Sequence, residues 1–531
     1  MLLPACGDDP PAPTPDLSSA ALDLSMTPPD LAAPDLSVPL DLAMPDLSVQ
    51  LDLAMPDFAT PPDLFTCTAN AFRSCAGTVA HYCNGAGDGE TLVECGSSGC
   101  HGPSSCGQCT PDTVTCSSSM VLASCNARGR VTVTNCALGC IATGADADAG
   151  TPASAHCANI VPSNAFSLDC VVKTGTLDVH VTTGTMIFDP DTGMIDGAAA
   201  GAGVYDGTKK SFHLKSLAID AGTTLAGKAG AVAPLVLLVD GNVLIDGTLD
   251  VAAHLNAGKT LASAGPGAVA FGVGGNASSL TTGTVATQGT GGAGGSFGSS
   301  GANGARLSGT TFGIARPPYP LTTDPTSLVP IQGGSGGGKA GGNLAPNPSG
   351  GGGAVQLVSC GTVTVSATGL VNAGGSGAPK ASTTTFSGGG GGGSGGGVLL
   401  EAPTLTVSGI VAAAGGTGGG GAVTGTANLH GEAGFDAPVT LTCSATGGAG
   451  AMAAGGSQGG TGGIGACAAT SPTSGTTGTV GTTTADPAGH GGGGGGGGRI
   501  RFNSNALTVT EATSVSPNTT ACYKAASLPL Q

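Results

Sequence analysis

Three Gly-x-Ser-x-Gly pentapeptides, Gly294–Gly298, Gly333–Gly337 and Gly392–Gly396, have the spacing that can present a nucleophilic serine on a strand-to-helix turn. That chemistry also needs a strand before the serine, a helix after it, and a histidine and an acid nearby. No helix signal follows any of the three, so serine hydrolysis is not expected. Two stretches imitate a phosphate-binding loop, GTTLAGKA at Gly222–Ala229 and GGSGGGKA at Gly333–Ala340. Both carry Ala where Mg²⁺ coordination needs a hydroxyl, and neither lies in a βαβ pattern, so no nucleotide partner is expected. Asp189, Asp191 and Asp196 around Gly193 form the best metal candidate, because alternate Asp residues can turn their oxygens toward one calcium ion. The bidentate Glu of a full calcium loop is absent, and the same residues suit a plain surface turn. No cofactor is expected unless these Asp residues hold calcium. Lys209, Lys210, His213 and Lys215 near Asp206 could abstract a proton beside an acid. His213 and Lys215, however, alternate with Phe212 and Leu214, which predicts the solvated face of a strand.

The elements that must position these groups are short strands. GVLLEAPTLTVSGIVAAAGG, Gly397–Gly416, alternates apolar with small or polar residues between polyglycine tracts. Val236/Leu238, Val243/Ile245 and Leu249 match the spacing of Val398/Leu400, Leu405/Val407 and Val411. Ile500/Phe502 with Leu507/Val509 fits the same template, and Val355/Leu357, Val363/Val365 and Val371 fit it with small insertions. Period-two alternation marks strands with one buried face, and recurrence of the unit predicts stacked rungs. Glu401 is the only charge in its unit, and the matching places are Val239, Val358 and Asn503. Leu177–Val181, Met186–Phe188, Phe212–Ile219, Leu235–Ile245 and Thr248–Val251 read as further strands. Asp220-Ala221-Gly222, Asp240-Gly241 and Asp246-Gly247 form corners where Gly would supply a positive φ.

The chain has 531 residues, of which 99 are Gly; only 9% are charged and 3% aromatic. A core must therefore be built in thin layers of Val, Leu, Ile and Ala. The net charge of −17 excludes a nucleic-acid binder, which needs clustered Lys and Arg. No apolar run is long enough for a transmembrane helix. The 18 Cys imply an oxidising compartment. Twelve of them fall into two six-Cys units, Cys67, Cys75, Cys83, Cys95, Cys100, Cys106 and Cys109, Cys116, Cys125, Cys136, Cys140, Cys157. Three bridges per unit would leave no free thiol, and the spacing alone does not choose among the fifteen pairings. A zinc reading around His101, Cys106 and Cys109 is weaker than the disulfide one. Cys443 and Cys467 can bridge one Gly-rich insert; Cys170, Cys360 and Cys522 leave an odd thiol if Cys6 is modified.

Four regions follow from these shifts. Residues 1–6 read as a truncated lipobox-like start, with Leu3-Pro4-Ala5-Cys6 placing a small residue before a Cys that would be lipidated, and an export signal expected upstream. Residues 7–66 carry 11 Asp, no Lys or Arg, and regular Pro, which predicts a disordered, extended Asp-Leu-Pro spacer. Residues 67–164 form the tandem disulfide-rich module, with units 67–106 and 109–157. Residues 165–531 form a Gly-rich, mainly β body, expected to be a parallel β-helix or solenoid with long inserts near 256–350, 376–396 and 417–497. An antiparallel β-sandwich is the alternative. The inserts could be loose, or could pack as neighbouring extended left-handed helices where the missing side chain permits close approach.

The lipobox-like start, the Pro-Asp-Leu arm, the Cys units and the GVLLEAPTLTVSG and GGGGRIRF rungs together resemble the Gly-rich, PE-PGRS-like surface lipoproteins of Gram-negative bacteria. That resemblance implies an outer-membrane anchor through lipid and brings no activity with it. The leading expectation is a non-enzymatic cell-surface structural or adhesive protein. A module binding extracellular polysaccharide or matrix is the second reading, and a β-helix carbohydrate-active enzyme the third.

Overall fold

The computed structural model describes residues 67–531 except 96–99, 101–108, 110–111, 127–129, 144–153, 270–288, 306–312, 318–327, 342–346, 381–386, 424–428, 445, 454–455 and 480–487. The first 66 residues, with Cys6 and the Asp-Leu-Pro arm, lie outside the described residues, as do His101 and Cys106. Thr66–Gln531 is one compact unit.

Its body is a large, strongly curled, solenoid-like sheet whose strands run parallel. Each full turn of the chain lays down three short strands. One turn comprises Leu235–Val239, Val243–Ile245 and Thr248–Asp250; the next comprises Ala354–Ser359, Thr362–Val365 and Leu370–Asn372. Gly397–Glu401, Thr404–Val407 and Ile410–Ala412 follow, and then Arg499–Asn503, Ala506–Val509 and Val515–Ser516. Every strand pairs parallel with its counterpart one turn away. A last strand, Tyr523–Ala526, pairs parallel with Arg499–Asn503 at one end. At the other end the long strand Ser211–Ile219 serves two faces, pairing with Leu235–Val239 through its first half and with Val243–Ile245 through its second. Among the described strands of the coil, antiparallel pairing is confined to this end, in the short strands around residues 185–212, and elsewhere in the body it occurs as isolated bridges such as Leu255 with Ala262 and Val423 with Ala488. The parallel pairing of Gly397–Glu401 on both sides sets the antiparallel sandwich aside.

Inward side chains from the three faces form one continuous core, including Leu235, Leu237, Val355, Leu357, Val398, Leu400, Ile500 and Phe502 from the first face. The register corrects the sequence alignment here. Leu235 and Leu237, not Val236 and Leu238, stand in line with Val355/Leu357 and Val398/Leu400. Val236 and Leu238 point outward into a second cluster with Ile160, Leu168, Val358 and Leu528. The run Leu235–Val239 is buried throughout because residues around 158–170 cover its outer side. An extra corner residue absorbs the difference, since Leu235 and Val243 are eight positions apart whereas Val398 and Leu405 are seven. Glu401 accordingly lines up with Val358 and Leu238 rather than with Val239.

Two of the corner glycines work differently from expectation. Gly222 has φ +78°, but Gly241 and Gly247 are not among the positive-φ residues. A Cβ on Gly247 would strike the carbonyl oxygens of Asp220 and Thr223, so close approach selects glycine there.

The described parts of the inserts that leave the coil between Asp250 and Ala354, Asn372 and Gly397, and Ala412 and Arg499 build a slab of extended chains. Its hydrogen bonds recur every third residue. In the chain 388–396, Gly388, Gly391 and Ser394 donate to Gly341, Gly338 and Ser335; Gly389, Gly392 and Gly395 donate to His490, Gly493 and Gly496; Gly393 and Gly396 donate to Ser376 and Ala373. Three neighbours served in rotation require three residues per turn without internal hydrogen bonds, the geometry of an extended polyproline-like helix. The glycines of this tract are buried.

The Cys units are two small antiparallel sheets, Phe72–Ala76, Val79–Cys83, Glu90–Glu94 and Val114–Ser118, Val121–Cys125, Val131–Asn135, the second extended by the pair Cys140–Thr143 and Ser154–Cys157. Cys67–Cys83 and Cys75–Cys100 in the first unit correspond to Cys109–Cys125 and Cys116–Cys140 in the second, which adds Cys136–Cys157. Cys95 is also disulfide-bonded. Cys443–Cys467 closes part of an insert, and Cys170–Cys360 ties the covering segment to the coil. The odd thiol in the body is Cys522, buried and free. So many disulfides mark an extracytoplasmic protein.

Candidate functional site

The slab absorbs the serine motifs. Ser296, Ser335 and Ser394 are fully buried and stand in line across three chains. Ser335 Oγ accepts the Ser296 N–H at 3.0 Å and donates to the Ser296 carbonyl at 3.0 Å, and Ser394 Oγ accepts the Ser335 N–H at 2.9 Å. Ser376 and Ser349 hydroxyls likewise accept the N–H groups of Gly350 and Gly337, both at 2.8 Å. Each serine caps backbone groups of its neighbour, so these hydroxyls cross-link chains. Of the phosphate-loop look-alikes, Gly333–Ala340 is a slab chain and Gly222–Ala229 contains the strand Thr224–Gly227.

The three candidate calcium ligands are turned to separate partners. Asp189 accepts from Lys228 Nζ at 2.7 Å and from the Asp191 N–H at 3.0 Å. Asp191 accepts the N–H groups of Val232 and Ala233, both at 2.9 Å, and Asp196 accepts that of Ile187 at 2.7 Å. Burial works to raise the Asp189 pKa, but the hydrogen bonds from Lys228, Thr192 and the Asp191 N–H outweigh it and hold the carboxyl below its usual value. Among the described residues no three His, Cys, Asp or Glu side chains converge as metal ligands.

A polar knot centred on the fully buried Glu401 and Gln356 lies on the outer side of the first face. Glu401 accepts from Ser163 Oγ at 2.8 Å, Gln356 Nε2 at 2.7 Å and Asn503 Nδ2 at 2.8 Å, and from the Ser163 N–H at 3.2 Å. Gln356 and Asn503 occupy neighbouring turns of the coil, so the knot joins three strands to the covering segment. The sequence marks Glu401 as its unit's only charge but does not show that Ser163 comes to meet it.

The site with the most diverse chemistry is a cleft of about 460 Å³ at the start of the coil, lined by Tyr205, Asp206, Lys209, Ser211, His213 and Leu238 among others. Alternation along the strand places Phe212 and Leu214 in the core and Ser211 and His213 outside it. His213 is not a solvated strand residue. Its side chain is 24% exposed, and Nε2 lies 2.7 Å from Asp240 Oδ1. Asp240, read from sequence as a corner residue, is 1% exposed, and its other oxygen accepts the Gly175 N–H at 2.6 Å. A Cβ on Gly175 would crowd the Leu214 carbonyl and Asp240 itself. Of the neighbouring cations, Lys215 pairs with Asp178 at 2.7 Å, and Lys210 donates to the Asp191 carbonyl at 2.8 Å. Asp206 accepts the N–H groups of Thr208 and Lys209 at 2.9 and 3.0 Å, which hold its carboxyl below the usual range.

No family model, curated protein or solved structure is similar to the chain. Among the described residues no helix is long and apolar enough to cross a membrane.

Proposed function

We propose that the protein is a non-enzymatic structural or adhesive element of the cell surface, held to the outer membrane by a lipid on Cys6 and displayed on the Asp-Leu-Pro arm. In this reading the curled sheet is a parallel β-helix that serves as a rigid backbone, and the slab is a stiff plate projecting from one corner. The observation that carries the reading is the construction of the plate. Its chains satisfy their backbone groups on one another in three-residue rotation, and its serines cross-link rather than react. Such a body gives reach and stiffness outside the cell, where the disulfides are stable.

The test is display. Expressed behind a secretory leader in a Gram-negative host, the protein should incorporate labelled palmitate, fractionate with the outer membrane and be shaved from intact cells by protease. Cys6→Ala should abolish labelling and release the protein. A wild-type protein that stays unlabelled and soluble overturns the anchored reading, and displaying cells that adhere to polysaccharide-coated or bare surfaces no better than control cells overturn the adhesive one.

A further inference from the structure

We propose that the His213 cleft binds one unit of a neutral saccharide through its hydroxyl groups. Four features of the cleft carry this. First, Ser211 is 3% exposed and lines the cleft, yet among the described residues its hydroxyl has no hydrogen-bond partner. The hydroxyl is therefore open to the cleft, where a ligand hydroxyl can take the place of water. Second, the buried Asp240 carboxylate fixes the His213 ring through Nε2. Nδ1, an acceptor in the neutral ring and a donor in the charged one, has no protein partner among the described residues and can meet a hydroxyl in either role. Third, Lys209 and Asp206 bring one cation and one anion to the same cleft. An anionic ligand would meet the Asp206 carboxylate and a cationic one Lys209, whereas a sugar hydroxyl both donates and accepts and suits the mixed set. Fourth, Leu238 and the Tyr205 ring supply an apolar wall for the C–H face of a pyranose. The ring is fixed by its hydroxyl on the Pro190 carbonyl at 2.6 Å and by packing on Phe212 at 5.0 Å between centroids.

The cleft volume of about 460 Å³ leaves room for one sugar unit. Glycoside hydrolysis needs two carboxyl groups flanking the scissile bond, but the Asp240 carboxyl is taken up by His213 and Gly175, which leaves Asp206 alone. The cleft is therefore assigned to binding. It would supply the contact of the adhesive function proposed above and rests on that reading for its setting. Binding is scored on purified protein, so a failure of display and a failure of binding are separate results.

The purified full chain is passed over an array of neutral oligosaccharides (gluco-, manno- and galacto-tetraoses) with oligouronates alongside, and hits are titrated. Neutral oligosaccharides should be retained in preference to uronates. Ser211→Ala and Lys209→Ala should each raise the dissociation constant at least fivefold without moving the thermal midpoint. If Ser211→Ala perturbs folding, the exposed Lys209→Ala variant decides alone. Retention of no neutral oligosaccharide, preference for uronates, binding indifferent to the substitutions, or release of new reducing ends would each overturn the proposal.

Discussion

At Gly392 a single methyl group decides whether the slab can close. A Cβ there would collide with the carbonyl oxygen of Gly416, which is main chain and cannot swing aside. Gly85 offers the contrast, with nothing within 4 Å of its would-be Cβ and an ordinary φ. Gly392→Ala is expected to lower unfolding free energy by about 2–3 kcal/mol, in the range of overpacked cores. Gly85→Ala should stay within about 0.5 kcal/mol of wild type. Urea titration of the two variants checks this, and equal losses would mean that the slab is not packed in solution. Composition alone does not separate these glycines, because the one that excludes a side chain is defined by a neighbour more than twenty residues away. The same holds for Asp240. Its place before a glycine reads as a turn, and only the folded chain brings His213 and Gly175 onto its two oxygens.

Among the elements, alternation was legible wherever one face of a strand meets solvent. Thr362-Val363-Thr364-Val365 and Thr404-Leu405-Thr406-Val407 point Val and Leu inward and Thr outward, as period two requires. It failed for Leu235–Val239, where both faces are buried and every residue is apolar, so the pattern holds no phase. A one-residue slip then exchanged the inner and outer sets. The outer set is covered by a segment whose fastening is Cys170–Cys360, closing a separation of 190 residues. Chain-entropy reasoning assigns a loop of that length about 5 kcal/mol. The double variant Cys170→Ala/Cys360→Ala should lose stability of that order and become open to proteolysis near residues 158–172. Both are read by denaturation and by mapping the first cleavage sites. An unchanged midpoint would show that Glu401 and the apolar cluster hold the segment without the bridge.

Across the whole molecule, backbone hydrogen bonds join the coil to the slab, and at His254 side chains add a charged junction between them. His254 Nε2 lies 2.9 Å from Asp250 at the end of a coil strand, and Nδ1 lies 3.8 Å from Asp436 in the last insert. Asp436 in turn accepts the N–H groups of Leu255 and Gly377, so all three inserts share the junction. Stacking of strands was legible from spacing, but this junction was not, since Asp250 and Asp436 are 186 positions apart and neither lies in a motif. The Asp250 carboxylate, which accepts from His254 Nε2, and the Asp436 carboxylate nearby favour the charged ring over the cost of burial and raise the His254 pKa from 6.5 to about 10. A folded-state pKa above the unfolded one means that the folded chain holds the extra proton between those limits. The junction's contribution is therefore complete below about pH 6.5 and declines as pH rises through about 10. The thermal midpoint of the wild type should fall from pH 7 to pH 10. His254→Asn should start lower at pH 6 and show a flatter profile over the same range, because the removed imidazolium is the group whose proton is lost. Asp189 and Asp206, held below their usual values, act on the other side and keep their contributions until pH falls through the carboxylate range. Parallel profiles for the two proteins between pH 7 and 10 would show that the inserts are held to the coil without the charged histidine.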